Sequence, residues 1–245
     1  EKNILLINAE SKSEIKEIER IAKIKKKKVK IGIRLNPNID ARTLSQISTG
    51  KKENKFGVNS KTFLEIVNYC KKSKYIHLNC LSVHIGSQIL DHRPYQKMLN
   101  MISKIISKIN YEFEFIDLGG GMGISYGHKD KKLNYKKYNI AIKKFLEKHK
   151  SRIIFEPGRS IIGNTVILIS KIIYIKSSER KNFIILDAAM NDLMRPALYG
   201  SYHKILPSIK RSNKSNKIYE FVGPICESTD KFETFKKFQK LNEKD

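Results

Sequence analysis

The stretch Phe113-Glu-Phe-Ile-Asp-Leu-Gly-Gly-Gly121 is a short apolar run followed by three consecutive glycines. The run predicts a buried strand, and a bare glycine turn at its end lets backbone N–H groups close around an anion such as a phosphate. A tight turn packed against a neighbouring element would need the same glycines. Taken alone, the glycines leave a phosphate site and a packing turn equally open.

Strand-like and helix-like segments alternate on both sides of this stretch. The predicted strands are Ile4–Ile7, Val29–Leu35, Ile76–Ile85, Phe113–Leu118 and Ile153–Glu156. The predicted helices run from a Ser11/Glu14 capping box to the lysines at 25–28, and over Lys61–Lys71, Pro94–Ile109 and Tyr135–Lys150. Alternating units of this size predict an α/β fold with a parallel sheet.

Polar residues at the strand ends favour a closed barrel. Period-two alternation turns Gly32 and Arg34 to one face of their strand, and Ser82 and His84 to one face of theirs. In a (β/α)8 barrel these residues would face the lumen near the rim that holds active sites. We therefore expect a TIM-like barrel, of which this chain carries five strands.

The pattern changes after Ile162. The runs Thr165–Lys176, Phe183–Asp187 and Ile218–Val222 are rich in β-formers, and a polar turn lies at 177–182. They predict an antiparallel β domain, which divides the chain into a barrel part, 1–162, and a β-rich part, 163–245. The lysine-rich last fifteen residues are expected to be helical or frayed.

Charge and cysteines narrow the function classes. The chain has 49 Lys and Arg against 24 Asp and Glu, a net charge of +25, but these cations are spread along its whole length. We therefore predict no specific nucleic-acid binding. No apolar run approaches the length of a membrane span. Cys70, Cys80 and Cys226 form no CxxC pair, so a reducing, cytoplasmic compartment is predicted.

Three further strings accompany the glycine turn: Leu81-Ser-Val-His-Ile-Gly-Ser-Gln88, Ile154-Phe-Glu-Pro-Gly-Arg-Ser160 and Gly223-Pro-Ile-Cys-Glu-Ser-Thr-Asp230. In order and spacing, the four strings resemble the pyridoxal-phosphate decarboxylases built on an alanine-racemase-like barrel, and most closely the diaminopimelate decarboxylases. The resemblance implies pyridoxal 5′-phosphate as cofactor and barrel strands four to eight in this chain, with about three βα units absent upstream and a truncated β domain. We expect this piece alone to be inactive.

The resemblance also assigns cofactor contacts. The phosphate is expected at Gly119, Gly120, Gly121, Ser87 and the turn Gly158–Arg159. Glu156 is expected at the pyridine nitrogen, whose pKa a carboxylate raises, and His84 flat against the ring. From the residues alone, Glu156 could instead pair with Arg34 or Arg159, and His84 could be an ordinary core histidine.

Substrate contacts follow from the string Asp187-Ala-Ala-Met-Asn-Asp-Leu-Met-Arg-Pro-Ala-Leu-Tyr199, which resembles the diaminopimelate enzymes. Arginine pairs bidentately with carboxylates, so Arg159, Arg195 and Tyr199 are expected to clamp the substrate. Cys226 is expected to protonate the substrate carbanion, and Glu227 to bind the distal amine. In the family these last two residues reach into the partner subunit's site, which implies a homodimer. Without the resemblance, Cys226 would be a small hydrophobe and Arg195 a turn arginine.

The expected reaction is decarboxylation of meso-diaminopimelate to L-lysine and CO2, the last step of lysine biosynthesis. Two alternatives stay open: a relative acting on another diamino acid or on carboxynorspermidine, and a non-catalytic regulatory homologue. The family's cofactor-binding lysine, in a Tyr-Ala-x-Lys-like context, and its C-terminal tyrosine have no match in residues 1–245. The set Cys70, His77, Cys80 and His84 fits no common zinc spacing, so no metal site is predicted.

Overall fold

The computed structural model describes residues 3–41, 43–44, 47–127 and 131–245. Their contacts divide them into two compact units. The first consists of Lys131–Thr165 and the described residues up to Ile124, and the second of Val166–Asp245 and residues 125–127. Nowhere in the described ranges is a helix both long and apolar enough to cross a membrane.

Strands and helices alternate along the first unit. Their bounds are β1 Ile7–Ala9, α1 Lys12–Ile24, β2 Val29–Arg34, α2 Ser60–Lys72, β3 Ile76–Ser82, α3 His92–Ile109, β4 Phe115–Asp117, α4 Tyr135–Leu146, β5 Arg152–Ile154 and α5 Arg159–Ile162. The strands form one parallel sheet in the order β1-β2-β3-β4-β5. The strands thus lie in the sheet in the same order as in the chain, as they do in a (β/α)8 barrel. In a doubly wound sheet the strand order reverses partway through the chain, so the predicted fold class is confirmed.

The sheet is strongly curved. The Asn8 side chain on β1 donates a hydrogen bond of 3.0 Å to Asp117 Oδ2 on β4, three strands away. In a flat sheet those strands would lie about 14 Å apart, further than the two side chains reach. Gly32 on β2 makes the contact possible, because a Cβ there would lie 1.9 Å from Asn8 Oδ1. The polar face is therefore the concave one, as expected for a barrel lumen.

The opposite face of the sheet is the apolar core. Ile31 and Ile33 of β2 are fully buried and belong to one cluster with Phe63 and Ile66 of α2. Helix α1 begins as the capping box predicts, because the Ser11 side chain accepts the Glu14 N–H. The strand predicted at Ile4–Ile7 is displaced. Strand β1 begins at Ile7 because its register pairs it with the buried residues of β2, which leaves Ile4 64% exposed.

The second unit contains a four-stranded sheet. Its elements are β6 Ile172–Ser177, β7 Lys181–Leu186, α6 Arg195–Tyr199, β8 Ile218–Val222 and β9 Lys231–Phe235, and the strand order is β6-β7-β8-β9. The outer pairs are antiparallel as predicted, but β7 and β8 run parallel. The sheet is therefore mixed rather than wholly antiparallel. The connection between β7 and β8 contains α6 and is long enough for a parallel crossover, whereas short turns join the other pairs.

The ends of the predicted strands in this unit need correction. The last fifteen residues were expected to be helical or frayed, but Lys231–Phe235 is a strand paired with β8. The ring centre of Phe221 lies 5.7 Å from that of Phe235 and 5.3 Å from that of Phe238. Aromatic packing therefore orders this segment, although its lysines suggest an exposed chain. The long strand expected from Thr165 begins only at Ile172.

Candidate active site

The loops that follow β3, β4 and β5 lie side by side in the first unit. The Glu156 N–H donates to the Gly119 carbonyl at 2.9 Å, and the Ile89 N–H to the Gly121 carbonyl at 2.8 Å. These bonds bring together the residues predicted to hold the cofactor: His84, Ser87, Gly119, Gly120, Gly121, Glu156, Gly158 and Arg159. Three motifs that are distant in sequence thus form one continuous rim.

The glycine turn is required by backbone packing. Gly119 and Gly121 have φ angles of +63° and +87°, in the left-handed region. A Cβ at Gly120 would lie 2.1 Å from the Glu156 carbonyl oxygen, and one at Gly121 would lie 2.0 Å from the Gly86 carbonyl oxygen. The packing-turn interpretation left open by the sequence therefore holds at these positions, whether or not an anion also binds.

Two of the three glycine N–H groups are already bound to side chains. The Gly119 N–H donates to Asp117 Oδ1 at 2.8 Å, and the Gly120 N–H donates to His84 Nδ1 at 3.1 Å. The Gly121 N–H has no acceptor among the residues that the structure describes. Of the turn, only Gly121 therefore has its N–H available to an anion.

Gly158 differs from the glycines of the turn. A Cβ at this position would meet no described atom within 4 Å. Steric contacts therefore do not require glycine here. The Gly158 nitrogen lies 3.9 Å from where a Gly120 Cβ would stand, so the open space beside Gly158 adjoins the glycine turn.

His84 is half-buried at the end of β3. Because Nδ1 accepts the Gly120 N–H, the ring proton of the neutral imidazole lies on Nε2. Burial lowers the His84 pKa and the charge of Arg34 lowers it further, while Asp117 opposes the shift. The imidazole is therefore neutral at physiological pH.

The buried carboxylate of Asp117 was not singled out from the sequence. Asp117 is 1% exposed, and its Oδ2 accepts hydrogen bonds from Asn8 Nδ2 at 3.0 Å and Ser82 Oγ at 3.1 Å. Together with the Gly119 N–H, these donors tie the glycine turn to β1 and β3. The only sequence signal was an aspartate inside an otherwise apolar run.

Glu156 stands next to Asp117 and does not ionise as an ordinary glutamate does. Partial burial of its carboxyl group raises its pKa, and the charge of Asp117 and a hydrogen bond with it raise the pKa further, against the opposing charge of Arg34. Arg34 itself forms an ion pair with Glu10 at 2.7 Å. Glu156 therefore keeps its proton to a higher pH than an ordinary glutamate does.

Ser87 and Arg159 complete the rim. The Ser87 N–H donates to the Ile47 carbonyl at 3.0 Å, whereas its hydroxyl has no partner among the described residues. Arg159 Nη1 donates to Gln88 Oε1 at 3.1 Å, which ties the start of α5 to the loop after β3. Gln88 is a second supporting residue that sequence analysis missed.

In the second unit, Arg195 and Tyr199 lie on α6, and both are half-buried. The Arg195 guanidinium contacts His203 Nε2 at 3.0 Å and donates to Ser201 Oγ at 3.2 Å. It also lies 4.7 Å from the centre of the Tyr126 ring, a cation–π contact. The predicted substrate arginine is therefore oriented by three neighbours that the sequence did not indicate.

Cys226 and Glu227 lie in the hairpin loop between β8 and β9, and both are exposed. Cys226 is the only exposed cysteine of the three, because Cys70 and Cys80 are buried and burial raises the pKa of each thiol to about 12. A Glu227 carboxylate oxygen accepts from the Thr229 N–H and hydroxyl, both at 3.3 Å.

Within the described ranges, no group of three His, Cys, Asp or Glu is placed to hold a metal.

Comparison with known proteins identifies the family. Residues 1–163 match the model of the pyridoxal-binding domain of the pyridoxal-dependent decarboxylases. A diaminopimelate decarboxylase from Helicobacter pylori is 41% identical over 235 residues, 94% of this chain and 57% of the relative. One from Aquifex aeolicus is 38% identical over 230 residues, 93% of this chain and 54% of the relative.

Solved structures give the same result. The H. pylori diaminopimelate decarboxylase complexed with L-lysine superposes with a TM-score of 0.91 at 39% identity, over 99% of this chain and 61% of the other. The M. jannaschii enzyme in complex with L-lysine superposes with a TM-score of 0.87 at 30% identity, over 99% and 58%. The chain spans a little over half the length of these relatives. The chain belongs to the pyridoxal-dependent decarboxylase family.

Proposed function

We propose that this protein is a pyridoxal-phosphate-dependent decarboxylase that converts meso-2,6-diaminopimelate to L-lysine and CO2. The observation that carries the proposal is the rim of the first unit, where the glycine turn, His84 and Glu156 converge from three strand ends. Relatives named diaminopimelate decarboxylase, at 38–41% identity over most of the chain, support the choice of substrate.

The residues present fit the cofactor. Its phosphate requires hydrogen-bond donors beside open space, and the Gly121 N–H and the Ser87 hydroxyl are donors with no acceptor among the residues that the structure describes. The open space beside Gly158 adjoins them, and the fixed charge of Arg159 lies on the same rim. When bound, pyridoxal phosphate supplies the electron sink for the electron pair left at Cα by the departing carboxylate.

Glu156 and His84 would serve the ring. Glu156 would hold a proton at the ring nitrogen, because burial, the charge of Asp117 and a hydrogen bond with Asp117 raise the Glu156 pKa. His84 would offer a neutral imidazole to the ring, since its pKa is lowered by burial and by Arg34. A neutral ring there adds no positive charge that would compete with the protonated ring nitrogen.

The second unit would bind the rest of the substrate. Arg195 offers a charged fork to the distal carboxylate, with Tyr199 beside it on α6. Glu227 pairs with the distal ammonium group. Cys226 would donate its thiol proton to Cα, which then carries a hydrogen where the carboxylate was. Its exposure on a hairpin loop suits a group that must meet a substrate.

We also propose a homodimer in which Cys226 and Glu227 serve the partner's site, in a reducing, cytoplasmic compartment. Mixing Cys226→Ala and Glu156→Ala chains tests it, because one site of each mixed dimer then contains both groups. Random reassortment makes about half the dimers mixed, so recovery should approach a quarter of wild-type activity. If subunit exchange is confirmed by native mass spectrometry and no activity returns, the shared site is refuted.

The reaction is tested by titrating the intact protein with pyridoxal phosphate and measuring the CO2 released from meso-diaminopimelate, L-ornithine and carboxynorspermidine, together with the L-lysine formed from the first. We expect cofactor-dependent lysine formation, with the other substrates slower by about a hundredfold or more, because they leave buried polar groups unpaired. Faster turnover of another substrate would contradict the proposed specificity. Cofactor binding without turnover of any of them would favour a non-catalytic homologue.

A further inference from the structure

Two segments of the second unit carry its candidate site residues. Residues 187–194 lead from β7 into α6 and Arg195, and the hairpin loop 223–230 carries Cys226 and Glu227. The segments are remote in sequence, although they follow the two neighbouring parallel strands β7 and β8. Asp230, which is 3% exposed, lies where they meet.

The Asp230 carboxylate binds one segment with each oxygen. Its Oδ1 accepts the Met190 N–H at 2.7 Å, and its Oδ2 accepts the Ile225 N–H at 2.8 Å. Its backbone closes the loop as well, because its carbonyl accepts the Gly223 N–H at 3.1 Å and its N–H donates to the Glu227 carbonyl at 3.0 Å. The Asp230 side chain therefore joins the two segments.

This carboxylate is held by backbone groups rather than by a cation. None of the described lysines and arginines forms an ion pair with Asp230, and the hydrogen bonds of its side chain come from backbone N–H groups. A buried carboxylate needs such charge-assisted bonds, and its removal would leave two N–H groups without their acceptor. Gly223 makes room for it, since a Cβ there would lie 2.3 Å from Asp230 Oδ2.

The side-chain bonds act on the loops and not on the sheet. Strand β7 ends at Leu186 and β8 at Val222, so both Met190 and Ile225 lie outside the strands. A residue that served only to stabilise the sheet would not need to bind these two groups. Thr229 adds a weaker link between the same segments, with its hydroxyl 4.0 Å from Met190 Sδ.

We propose that Asp230 is a positioning residue that fixes the Cys226–Glu227 loop relative to the segment leading into Arg195. The loop with Cys226 and Glu227, which in the proposed dimer serves the partner's site, then keeps a fixed position on the second unit that presents it. The roles of Cys226, Glu227 and Arg195 rest on the proposed function, whereas the link between the segments rests on the contacts alone.

The experiment compares Asp230→Ala and Asp230→Asn with wild type in the intact protein. Hydrogen exchange resolved to single amides should become about tenfold faster or more at Met190 and Ile225, while the amides of β8 and β9 keep their protection. The kcat/KM for meso-diaminopimelate should fall by about tenfold or more, with cofactor affinity unchanged. Asp230→Asn should be intermediate in both measurements, because it retains one acceptor.

Asp192→Asn is the matched control. Asp192 Oδ2 accepts the Ala189 N–H at 2.8 Å on the same segment, but Asp192 forms no described hydrogen bond to the hairpin loop. Its Ile225 exchange rate should equal that of wild type, and its kcat/KM should stay within about twofold. Gly223→Ala provides a second test, since its methyl group would displace the carboxylate without removing it, and should reproduce the Asp230→Asn pattern.

Three results would overturn the proposal. One is wild-type exchange at Met190 and Ile225 in Asp230→Ala. Another is uniformly faster exchange throughout β8 and β9 with unchanged kcat/KM per folded molecule, which would mark a purely structural residue. The third result applies if Asp230→Ala does not fold. In that case, wild-type amide exchange and wild-type kcat/KM in Asp230→Asn would overturn the proposal. A wild-type protein that does not decarboxylate meso-diaminopimelate would refute the proposed function, while the exchange pattern would still decide the role of Asp230.

Discussion

The two units hold their candidate site residues in different ways. In the first, the residues lie on neighbouring strand ends whose backbones touch, and a Cβ at Gly120 or Gly121 would lie about 2 Å from a carbonyl oxygen. In the second, they lie on a hairpin loop and on a short helix, and Asp230 joins the segments that carry them. The first site is built into the curvature of the sheet, whereas the second depends on a few side-chain contacts.

This difference predicts where each site is sensitive. On the rim of the first unit, a substitution whose new side chain would clash with backbone should lower stability. A substitution whose side chain enters open space should instead weaken cofactor binding. Substitutions in the second unit should change substrate binding while the cofactor site stays intact. Four predictions test this contrast, from the largest expected effect to the smallest.

Gly121→Ala should destabilise the first unit by about 3 kcal/mol or more, because it combines a left-handed φ of +87° with a Cβ placed 2.0 Å from the Gly86 carbonyl oxygen. Urea unfolding followed by the amide signal of Ile33 measures the loss. The amide of Ile184 in the second unit should keep its wild-type midpoint. A change below about 1 kcal/mol at Ile33 would show that the turn relaxes freely.

Arg195→Ala should raise KM for meso-diaminopimelate by about ten- to a hundredfold, which corresponds to the 1.5–3 kcal/mol of a hydrogen bond to a charged group. Its affinity for pyridoxal phosphate should not change. Steady-state kinetics and cofactor titration on the same preparation measure both. Arg195→Lys keeps the charge but not the bidentate fork, so its KM should lie between those of wild type and Arg195→Ala. A loss of cofactor affinity with an unchanged KM would show that Arg195 is misassigned.

Gly158→Ala is the counterpart of Gly121→Ala. Because no described atom lies within 4 Å of the new Cβ, the loss of stability should be about 1 kcal/mol or less, well below that of Gly121→Ala. The methyl group would occupy the space proposed for the phosphate, so cofactor affinity should fall by about tenfold, equivalent to 1.4 kcal/mol. Equilibrium titration with pyridoxal phosphate measures this loss. If affinity is unchanged, the phosphate does not lie beside Gly158.

Periodicity and local signals predicted the architecture of the first unit well. The capping box at Ser11 placed the start of α1, and the alternation in β2 predicted which face carries Gly32 and Arg34. The same reasoning failed at Ile4–Ile7, where consecutive apolar residues offer several registers and only pairing with β2 selects one. It failed again after Lys231, because exposed lysines conceal the spacing of the aromatic residues.

The supporting residues could not be predicted from local sequence. Asp117 lies in a strand of three residues, too short for alternation to show which face it takes, and its partner Asn8 is 109 residues away. Asp230 follows Glu-Ser-Thr in a polar loop and looks solvated, yet it is 3% exposed. Both carboxylates are buried by contacts between remote segments, which a motif does not encode.

The smallest effect is a difference in pH dependence between Glu156 of the first unit and Glu220 of the second. Burial and Asp117 raise the pKa of Glu156 above its ordinary value of 4.5. Burial also opposes ionisation of Glu220, but hydrogen bonds and charges from Lys181 and Lys231 outweigh it and lower its pKa below 4.5. The two carboxyls should therefore respond to pH in opposite directions.

The signs follow from proton binding. Above pH 4.5, folded Glu156 still holds a proton that the unfolded chain has released, so its contribution to stability falls as pH rises towards its raised pKa. Folded Glu220 contributes stability above pH 4.5 that is lost as pH falls through its lowered pKa. Relative to wild type, Glu156→Gln should thus gain stability as pH rises above 4.5, and Glu220→Gln should lose stability as pH rises towards 4.5 from below. Urea unfolding across this pH range, read at Ile33 for the first variant and Ile184 for the second, measures both slopes. Slopes of the same sign would mean that the pKa of Glu156 is not raised in the folded protein, and its proposed role in holding the ring proton would have to be abandoned.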